Sequence, residues 1–90
     1  MRTTPDPLVL KELRRIPGVG QAIALDLWDL GLRSVADPRG RDPQALYAEL
    51  EALAGSHVDR CMLYVLRQAV YFAETARPDP ERLKWWKWKD

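Results

Sequence analysis

Residues 16–20 read Ile-Pro-Gly-Val-Gly, and the chemistry this segment suits is anion binding by backbone amides. Pro17 lacks an N–H and has a fixed φ, so it ends a preceding helix and favours a tight turn in which Gly18 supplies the positive φ. Gly20 stands where a new helix begins and has no side chain to block a close approach. Because helix N-termini carry unpaired N–H groups and partial positive charge, the segment predicts a turn whose amides face a phosphate.

A plain connection between two antiparallel helices is the alternative interpretation of this segment, and it would need one glycine only. Apolar residues on both sides predict two short helices packed across the turn under either interpretation. They are Leu13, Ile16, Ala22, Ile23, Leu27 and Leu30. The combination of proline and two glycines favours the phosphate-binding interpretation.

His57 and Cys61 stand four residues apart on a predicted helix, a spacing at which two side chains share a face and can both reach a metal. The chain has one histidine and one cysteine, so zinc would need carboxylate ligands as well. We therefore expect no metal and no other cofactor. Cys61 is expected to be buried as a small apolar side chain, with His57 at the surface or capping the helix.

The residue patterns that enzymes use for catalysis are missing from the sequence. It has no Gly-x-Ser-x-Gly turn for a nucleophile, no phosphate loop ending in Gly-Lys-Ser/Thr, and no carboxylate pair in an evident pocket. Asp26 and Asp29 fit the solvated face of a helix better. We therefore expect no catalytic residues and a protein that is not an enzyme.

The length of 90 residues predicts a single domain over 1–90, and the single cysteine excludes an internal disulfide. The formal net charge is +1, but it is unevenly distributed. Residues 1–41 have seven Lys or Arg and five Asp or Glu, residues 42–81 have three and seven, and residues 82–90 have four and one. Both ends are basic, so a nucleic acid would be contacted there. Without an export signal or a long apolar run, we expect a soluble, cytoplasmic protein with no membrane contact.

Apolar periodicity and four Asp-Pro pairs predict five helices, because Asp caps a helix start and proline is tolerated in its first turn. The predicted helices are Pro7–Ile16, Gln21–Leu30, Pro43–Ala54, His57–Ala76 and Pro80–Trp88, with a loop at 32–41 that holds one turn starting at Asp37. The fourth helix is the longest and most apolar. We expect it to be the buried centre of a compact all-α, five-helix bundle.

A second turn, Gly55-Ser56-His57, resembles the first when the chain is shifted by 37 residues. The shift brings Gly18 onto Gly55 and Gly20 onto His57. Two interpretations stay open: chance similarity in a leucine-rich helical chain, or an internal repeat. In a repeat, the second copy is predicted to be degenerate, because the His57 side chain limits how closely a phosphate can come.

The C-terminal stretch 82–89 interleaves three tryptophans with lysines, and three interpretations compete. Aromatic and cationic side chains suit stacking on exposed bases with contacts to phosphates. They also suit a membrane interface, although so short a stretch anchors weakly. Burial is the interpretation we favour: Trp85 and Trp88, three apart on a helix, close over the core, and Trp86 stays outside.

The first turn and its flanking helices resemble the helix-hairpin-helix motif of DNA repair and replication proteins. The resemblance implies that the Gly-hydrophobic-Gly loop donates backbone hydrogen bonds to a phosphate without reading sequence, with Val19 anchored in the core. The nucleic-acid site it implies consists of Pro17, Gly18, Val19, Gly20, Gln21 and Ala22, assisted by Arg14, Arg15 and Arg33, with Gly55, Ser56 and His57 as a secondary hairpin.

Tandem domains of this class, which are related to sterile-alpha-motif-like bundles, use two such hairpins to grip the two strands across a minor groove. A tandem arrangement here would place the first hairpin at about 8–30, the second at about 43–76 and a Trp/Lys helix at about 80–88. The DNA glycosylases that carry the motif need a base-flipping pocket in a much larger domain. The bifunctional ones also place a lysine just after the hairpin glycines, where this chain has Gln21.

Three stretches together resemble the small bacterial pathogenicity-locus proteins, some of which carry a mitomycin-resistance label. They are residues 17–20, residues 57–65 and the ending 78–90. The resemblance implies a helix-hairpin-helix module that binds DNA weakly and without sequence specificity, connected with DNA damage, and it implies no particular reaction. The alternative is a protein-interaction domain in which the hairpin only joins helices.

Overall fold

The computed structural model describes residues 4–89, and all regular structure in that range is helical. Its elements are the α-helices α1 (Pro7–Leu13), α2 (Gln21–Asp29), α3 (Pro43–Ala54) and α4 (Cys61–Glu74), followed by two 3₁₀ turns, Pro80–Leu83 and Trp85–Trp88. The all-α prediction is confirmed, but the described chain has four α-helices instead of five. The two ends of the predicted domain 1–90, residues 1–3 and residue 90, lie outside the described residues.

Three of the four Asp-Pro pairs start a helical element, as predicted. The side chains of Asp6, Asp42 and Asp79 each accept a hydrogen bond from the N–H two residues further on, at 2.9–3.0 Å. The fourth pair lies in a loop, where Asp37 accepts from the backbone N–H of Arg33 at 2.7 Å and residues 35–40 form turns. This hydrogen bond is the main reason why the pKa of Asp37 is lowered.

The helix before the first turn is shorter than predicted. α1 ends at Leu13, and the N–H groups of Arg15 and Ile16 bond to carbonyls three residues back instead of four. These tighter bonds carry the chain out of the helix before Pro17 is reached. α2 ends at Asp29, one residue before the predicted end, and α3 has the predicted bounds.

The start of α4 is also later than predicted. Cys61 begins the helix instead of His57, with Arg60 as the N-cap residue, and the Asp59 carboxylate accepts a hydrogen bond from the Cys61 N–H at 2.8 Å. At its other end α4 stops at Glu74, two residues before the predicted Ala76.

α4 is the centre of the core, as its apolar pattern predicts. Leu63, Leu66 and Ala69 have no exposed surface, and the helix packs against α3 and both 3₁₀ turns, while α1 packs against α2. Each leucine buried in this way contributes about 1.5–3 kcal/mol relative to exposure. The short helices therefore depend on tertiary packing for their stability.

The predicted fifth helix is interrupted at Lys84, whose extended backbone (φ −97°, ψ 111°) separates the two 3₁₀ turns. Hydrogen bonds tie this C-terminal segment, residues 80–89, to α4 and to itself. Arg67 of α4 donates to the Trp88 carbonyl at 2.7 Å, and the Trp88 indole N–H donates to the Arg82 carbonyl at 2.8 Å.

The three tryptophans of this segment follow the burial interpretation in part, since Trp85 and Trp88 are half-buried and neither is fully buried. Trp85 packs against the buried cluster, and the half-buried Trp88 ring lies 5.4 Å from that of Tyr71. Trp86 is 48% exposed. The prediction therefore holds for the core contact of Trp85 and the exposure of Trp86, whereas Trp88 packs on Tyr71.

Candidate nucleic-acid interface

The first loop, residues 14–20, joins α1 to α2 and is held to the core by two apolar side chains. Ile16 is fully buried and Val19 is 7% exposed, so the predicted anchoring of Val19 is confirmed. The Val19 N–H donates to the Ile16 carbonyl at 3.1 Å, and Gly18 adopts a φ of +84° between them. The two buried side chains and this hydrogen bond constrain the backbone of the turn from Ile16 to Val19.

Gly20 is the N-cap of α2, with an extended backbone (φ −96°, ψ −168°). Its carbonyl accepts the first helical hydrogen bond, from Ala24 at 2.9 Å, but no side chain of the described residues caps the N–H groups of the first turn. An ideal Cβ built on Gly20 has no described atom within 4 Å. Gln21 and Ala22 are exposed as well, so the start of α2 lies at the protein surface and no described side chain caps its first-turn N–H groups.

Gly18 differs from Gly20 because the position of its missing Cβ faces side chains of the C-terminal segment and of α4. A Cβ at Gly18 would lie 3.3 Å from Cδ1 of Trp85 and 3.4 Å from Oε1 of Gln68. The two glycines of the loop therefore have separate roles. Gly18 allows the C-terminal segment to pack on the loop, and Gly20 leaves the helix start accessible.

Gln68 is a further residue at this loop, and sequence reasoning missed it. It lies in the middle of α4 with 0% exposure, and neither its Nε2 nor its Oε1 has a hydrogen-bond partner among the described residues. A buried amide without partners costs about 1–3 kcal/mol. The signal in the sequence was a lone polar residue at a core position of the most apolar helix.

The three arginines predicted to assist the site lie at different places. Arg14 and Arg15 are exposed at the start of the first loop. The Nη1 of Arg15 donates to both carboxylate oxygens of Glu12, at 3.0 and 3.1 Å. Such an exposed pair contributes less than about 1 kcal/mol, so a phosphate can compete for Arg15.

Arg33 lies beyond the other end of α2. Its guanidinium carbon is 3.5 Å from the centre of the Trp28 ring, and its Nη1 donates to the Trp28 carbonyl at 2.8 Å. The nine residues of α2 span about 13 Å, which separates this guanidinium from the first loop. The structure therefore brings Arg14 and Arg15 to the predicted site but does not bring Arg33 there.

The second loop, residues 55–60, is occupied by a carboxylate of the protein itself. Gly55 has a φ of +69° and ends α3, and the Glu51 carboxylate reaches across the loop. Its Oε2 lies 3.0 Å from Nδ1 of His57 and accepts from the Val58 N–H at 3.2 Å. Tyr47 donates to the carbonyl of the same Val58. These contacts hold the exposed Ser56 and His57 in a loop closed around a carboxylate.

The shift of 37 residues that aligns the two loops brings Arg14 onto Glu51. The first loop thus has a cation where the second has the carboxylate that binds its backbone. Sequence reasoning identified the His57 substitution but missed this reversal of charge, which is visible in the same alignment.

The surroundings of Cys61 correct one prediction. Cys61 is exposed, so the expectation that it is buried is wrong, while His57 lies at the surface as expected, with 79% of its side chain exposed. A hydrogen bond from the thiol to Asp59 raises the pKa of Cys61, and the bond from the Cys61 N–H lowers the pKa of Asp59. Over residues 4–89, no three His, Cys, Asp or Glu side chains are grouped so that they could hold a metal ion.

Comparison with known proteins places the chain in a family. A family model described as Cdd1, pathogenicity locus, matches residues 7–90. The chain belongs to the pathogenicity locus family. It is 34% identical over 77 residues to the mitomycin resistance protein McrB of Streptomyces lavendulae, an alignment that covers 83% of this chain and 68% of the relative. No solved structure matches the chain.

The family match includes the first loop, the second loop and the C-terminal segment. Among the described helices of this pathogenicity-locus protein, none is long and apolar enough to cross a membrane.

Proposed function

We propose that this pathogenicity-locus protein binds DNA without sequence specificity, as a helix-hairpin-helix module in which α1, the first loop and α2 form the hairpin. The backbone N–H groups at the start of α2 donate to one phosphate. The observation that carries the proposal is the uncapped start of α2 at Gly20, which no described side chain approaches within 4 Å of a Cβ position. Helix N-termini of this kind bind phosphate through N–H donors and the helix dipole.

The fixed conformation of the first loop supports the proposal. Ile16 and Val19 anchor it from below, and Gly18 is held against Trp85. Donors fixed before binding lose little conformational freedom when the phosphate arrives, which favours affinity. Backbone donors and a phosphate carry no information about base sequence, so binding through this loop is sequence-independent.

The charges around the first loop favour an anion. Arg14 and Arg15 are exposed beside it, whereas Arg33 contributes little because its guanidinium stacks on Trp28 at the far end of α2. Each neutralised phosphate contributes a slope of about −0.9 to the dependence of log affinity on log salt. The site has one backbone contact and two arginines. We therefore expect weak binding, with a slope of log affinity against log salt of only a few units.

The second loop supports a single phosphate contact instead of two. Its Val58 N–H is engaged by Glu51, and a phosphate there would meet a carboxylate at close range. With phosphate bound by the first loop only, the protein contacts one DNA strand. Tight binding would then depend on the C-terminal segment or on a partner protein. The name of the Streptomyces lavendulae relative, a mitomycin resistance protein, favours a role connected with DNA damage.

A titration of fluorescent duplex and single-stranded DNA at low and moderate salt tests the proposal. Gly20→Glu places a carboxylate where the phosphate would bind, and since Gly20 has a negative φ and open space around it, the variant should fold. Ala48→Glu, at an exposed site of α3, is the charge-matched control. We expect Gly20→Glu to abolish binding and Ala48→Glu to weaken it slightly. Binding that is absent at low salt, or equal for both variants, would overturn the proposal.

The second candidate function is a protein-interaction module in which the first loop only joins helices. Exposed apolar side chains on two helices favour it: Leu8 of α1 is 76% exposed and Leu53 of α3 is 58% exposed. This function predicts that Leu8→Ser or Leu53→Ser disrupts self-association or capture of a partner protein, and that DNA leaves the first loop unchanged.

A further inference from the structure

Trp86 is an exposed aromatic side chain that is linked to the first loop through its neighbour Trp85. Its ring centre lies 5.8 Å from that of Trp85, at an angle of 89°. Trp85 in turn has its Cδ1 3.3 Å from the Cβ position of Gly18. One indole therefore connects Trp86 to the loop proposed to bind phosphate.

The contact with Trp85 occupies at most one face of the Trp86 ring. The two rings meet edge to face and do not form a parallel stacked pair. With 48% of its surface exposed, Trp86 offers an aromatic surface that the core does not use. Its immediate neighbour Trp85 is the ring that packs against the buried cluster.

The backbone that carries Trp86 is fixed. The Lys87 N–H donates to the Lys84 carbonyl at 2.9 Å and closes the turn around Trp86, and the contacts of Trp88 tie the same turn to Arg67 of α4. A side chain on a held backbone loses little additional freedom when a ligand packs on it. The backbone of Trp86 is thus held next to Trp85, the residue that contacts Gly18 of the first loop.

The charge around Trp86 identifies the class of ligand. Lys84 and Lys87 flank it, and both form ion pairs with the exposed Glu81, at 3.2 and 4.0 Å. Exposed pairs are weak, so phosphates can displace Glu81. An exposed indole between cations is the arrangement that single-strand binding proteins use, with the ring on a base and the cations on phosphates.

We propose that Trp86 stacks on an unpaired base of the DNA strand whose phosphate the first loop holds. The preferred ligand is then DNA with a single-stranded segment, because a base inside a duplex is covered on both faces and offers no surface to an indole. This inference rests on the proposed function: the first loop and Lys84 and Lys87 contact phosphates, and Trp86 adds a preference for exposed bases.

Three fluorescent probes test this preference at one low salt concentration. They are a thymidine oligonucleotide of about 12 nucleotides, an abasic oligonucleotide of the same length, and a blunt duplex. We expect Trp86→Ala to weaken binding of the thymidine probe about 5- to 150-fold, the range that loss of one stacked base gives. Binding of the abasic probe and of the duplex should change less than about twofold, because neither offers an exposed base. Trp86→Phe, which keeps an aromatic ring, should retain most of the thymidine binding.

The outcomes separate this inference from the proposed function. If Gly20→Glu weakens all three probes but Trp86→Ala weakens none, the first loop binds DNA and the stacking inference is wrong. Equal losses with the thymidine and abasic probes in Trp86→Ala also overturn stacking. If Gly20→Glu leaves duplex binding unchanged, the proposed function itself fails. Sedimentation analysis could also show a dimer that Trp86→Ala dissociates while oligonucleotide binding stays unchanged. In that case Trp86 contacts a second protein copy, and the stacking inference is wrong.

Discussion

Trp85 lies against Gly18, with its Cδ1 3.3 Å from the position a Cβ on that glycine would occupy. The contact joins the C-terminal segment to the first loop, two regions separated by most of the chain. It means that the phosphate-binding loop proposed above is fixed by residues at both ends of the sequence. A substitution of Trp85 or of Gly18 should therefore alter the packing of the other residue.

The two glycines of the first loop should respond differently to alanine. Gly18→Ala puts a side chain at a φ of +84° and against Trp85, so we expect it to reduce the free energy of unfolding by about 1–3 kcal/mol. Gly20→Ala meets no strain and should change it by less than about 1 kcal/mol in either direction. Urea unfolding of both variants measures this. Equal effects would show that neither the positive φ nor the contact with Trp85 makes a side chain at Gly18 unfavourable.

Replacing the buried amide beneath the first loop should stabilise the protein. Gln68→Met keeps a side chain of similar length and removes two buried polar atoms without partners, which we expect to raise the free energy of unfolding by about 1–3 kcal/mol. Thermal and urea unfolding measure the change. A loss of stability greater than about 1 kcal/mol would mean that the Gln68 amide finds partners in solution that stabilise the fold.

Removing the internal carboxylate should open the second loop to an anion. Glu51→Ala frees the Val58 N–H, so we expect tighter DNA binding and a salt dependence steeper by about one phosphate, a slope change near −0.9. Glu49→Ala removes the same charge from an exposed position of the same helix and is the control. If both variants strengthen binding equally, the effect comes from net charge and the second loop plays no part.

The reactivity of Cys61 should depend on Asp59. The raised pKa of Cys61 keeps the thiol protonated at neutral pH, so alkylation in the folded protein should be slow and should rise only at alkaline pH, as thiolate forms. Asp59→Ala removes both the acceptor of the thiol hydrogen bond and the negative charge that disfavours thiolate, and should move the alkylation profile to lower pH. Rates of reaction with iodoacetamide between neutral and alkaline pH measure this. A profile that stays in place, or moves to higher pH, would contradict the assigned cause.

Local signals in the sequence were sufficient for much of the fold. The bounds of α3 follow from Asp42-Pro43 and Gly55, because capping and a left-handed C-terminus depend only on neighbouring residues. The burial of α4 follows from its apolar pattern. The same holds for Val19, whose place in the core was expected from the first-turn motif alone.

The features that sequence reasoning missed depend on contacts between distant residues or on competing local bonds. At the start of α4 the Asp59 carboxylate accepts from the Cys61 N–H, and the second loop is closed by Glu51, which reaches Val58 seven residues away. The exposure of Cys61 reverses a residue-type expectation because its position on α4 faces outward. The place of Gln68 under Gly18 required the packing of α4 on the first loop to be known.

The most direct test of phosphate binding by the first loop is a two-dimensional ¹H–¹⁵N NMR titration of the intact protein with a short DNA duplex. We expect shifts that saturate at the amides of residues 18–22, with little change at residues 55–60, and the loss of these shifts in Gly20→Glu. Amides at residues 18–22 that do not move while the duplex binds elsewhere, or a spectrum that does not change at low salt, would contradict phosphate binding by the first loop.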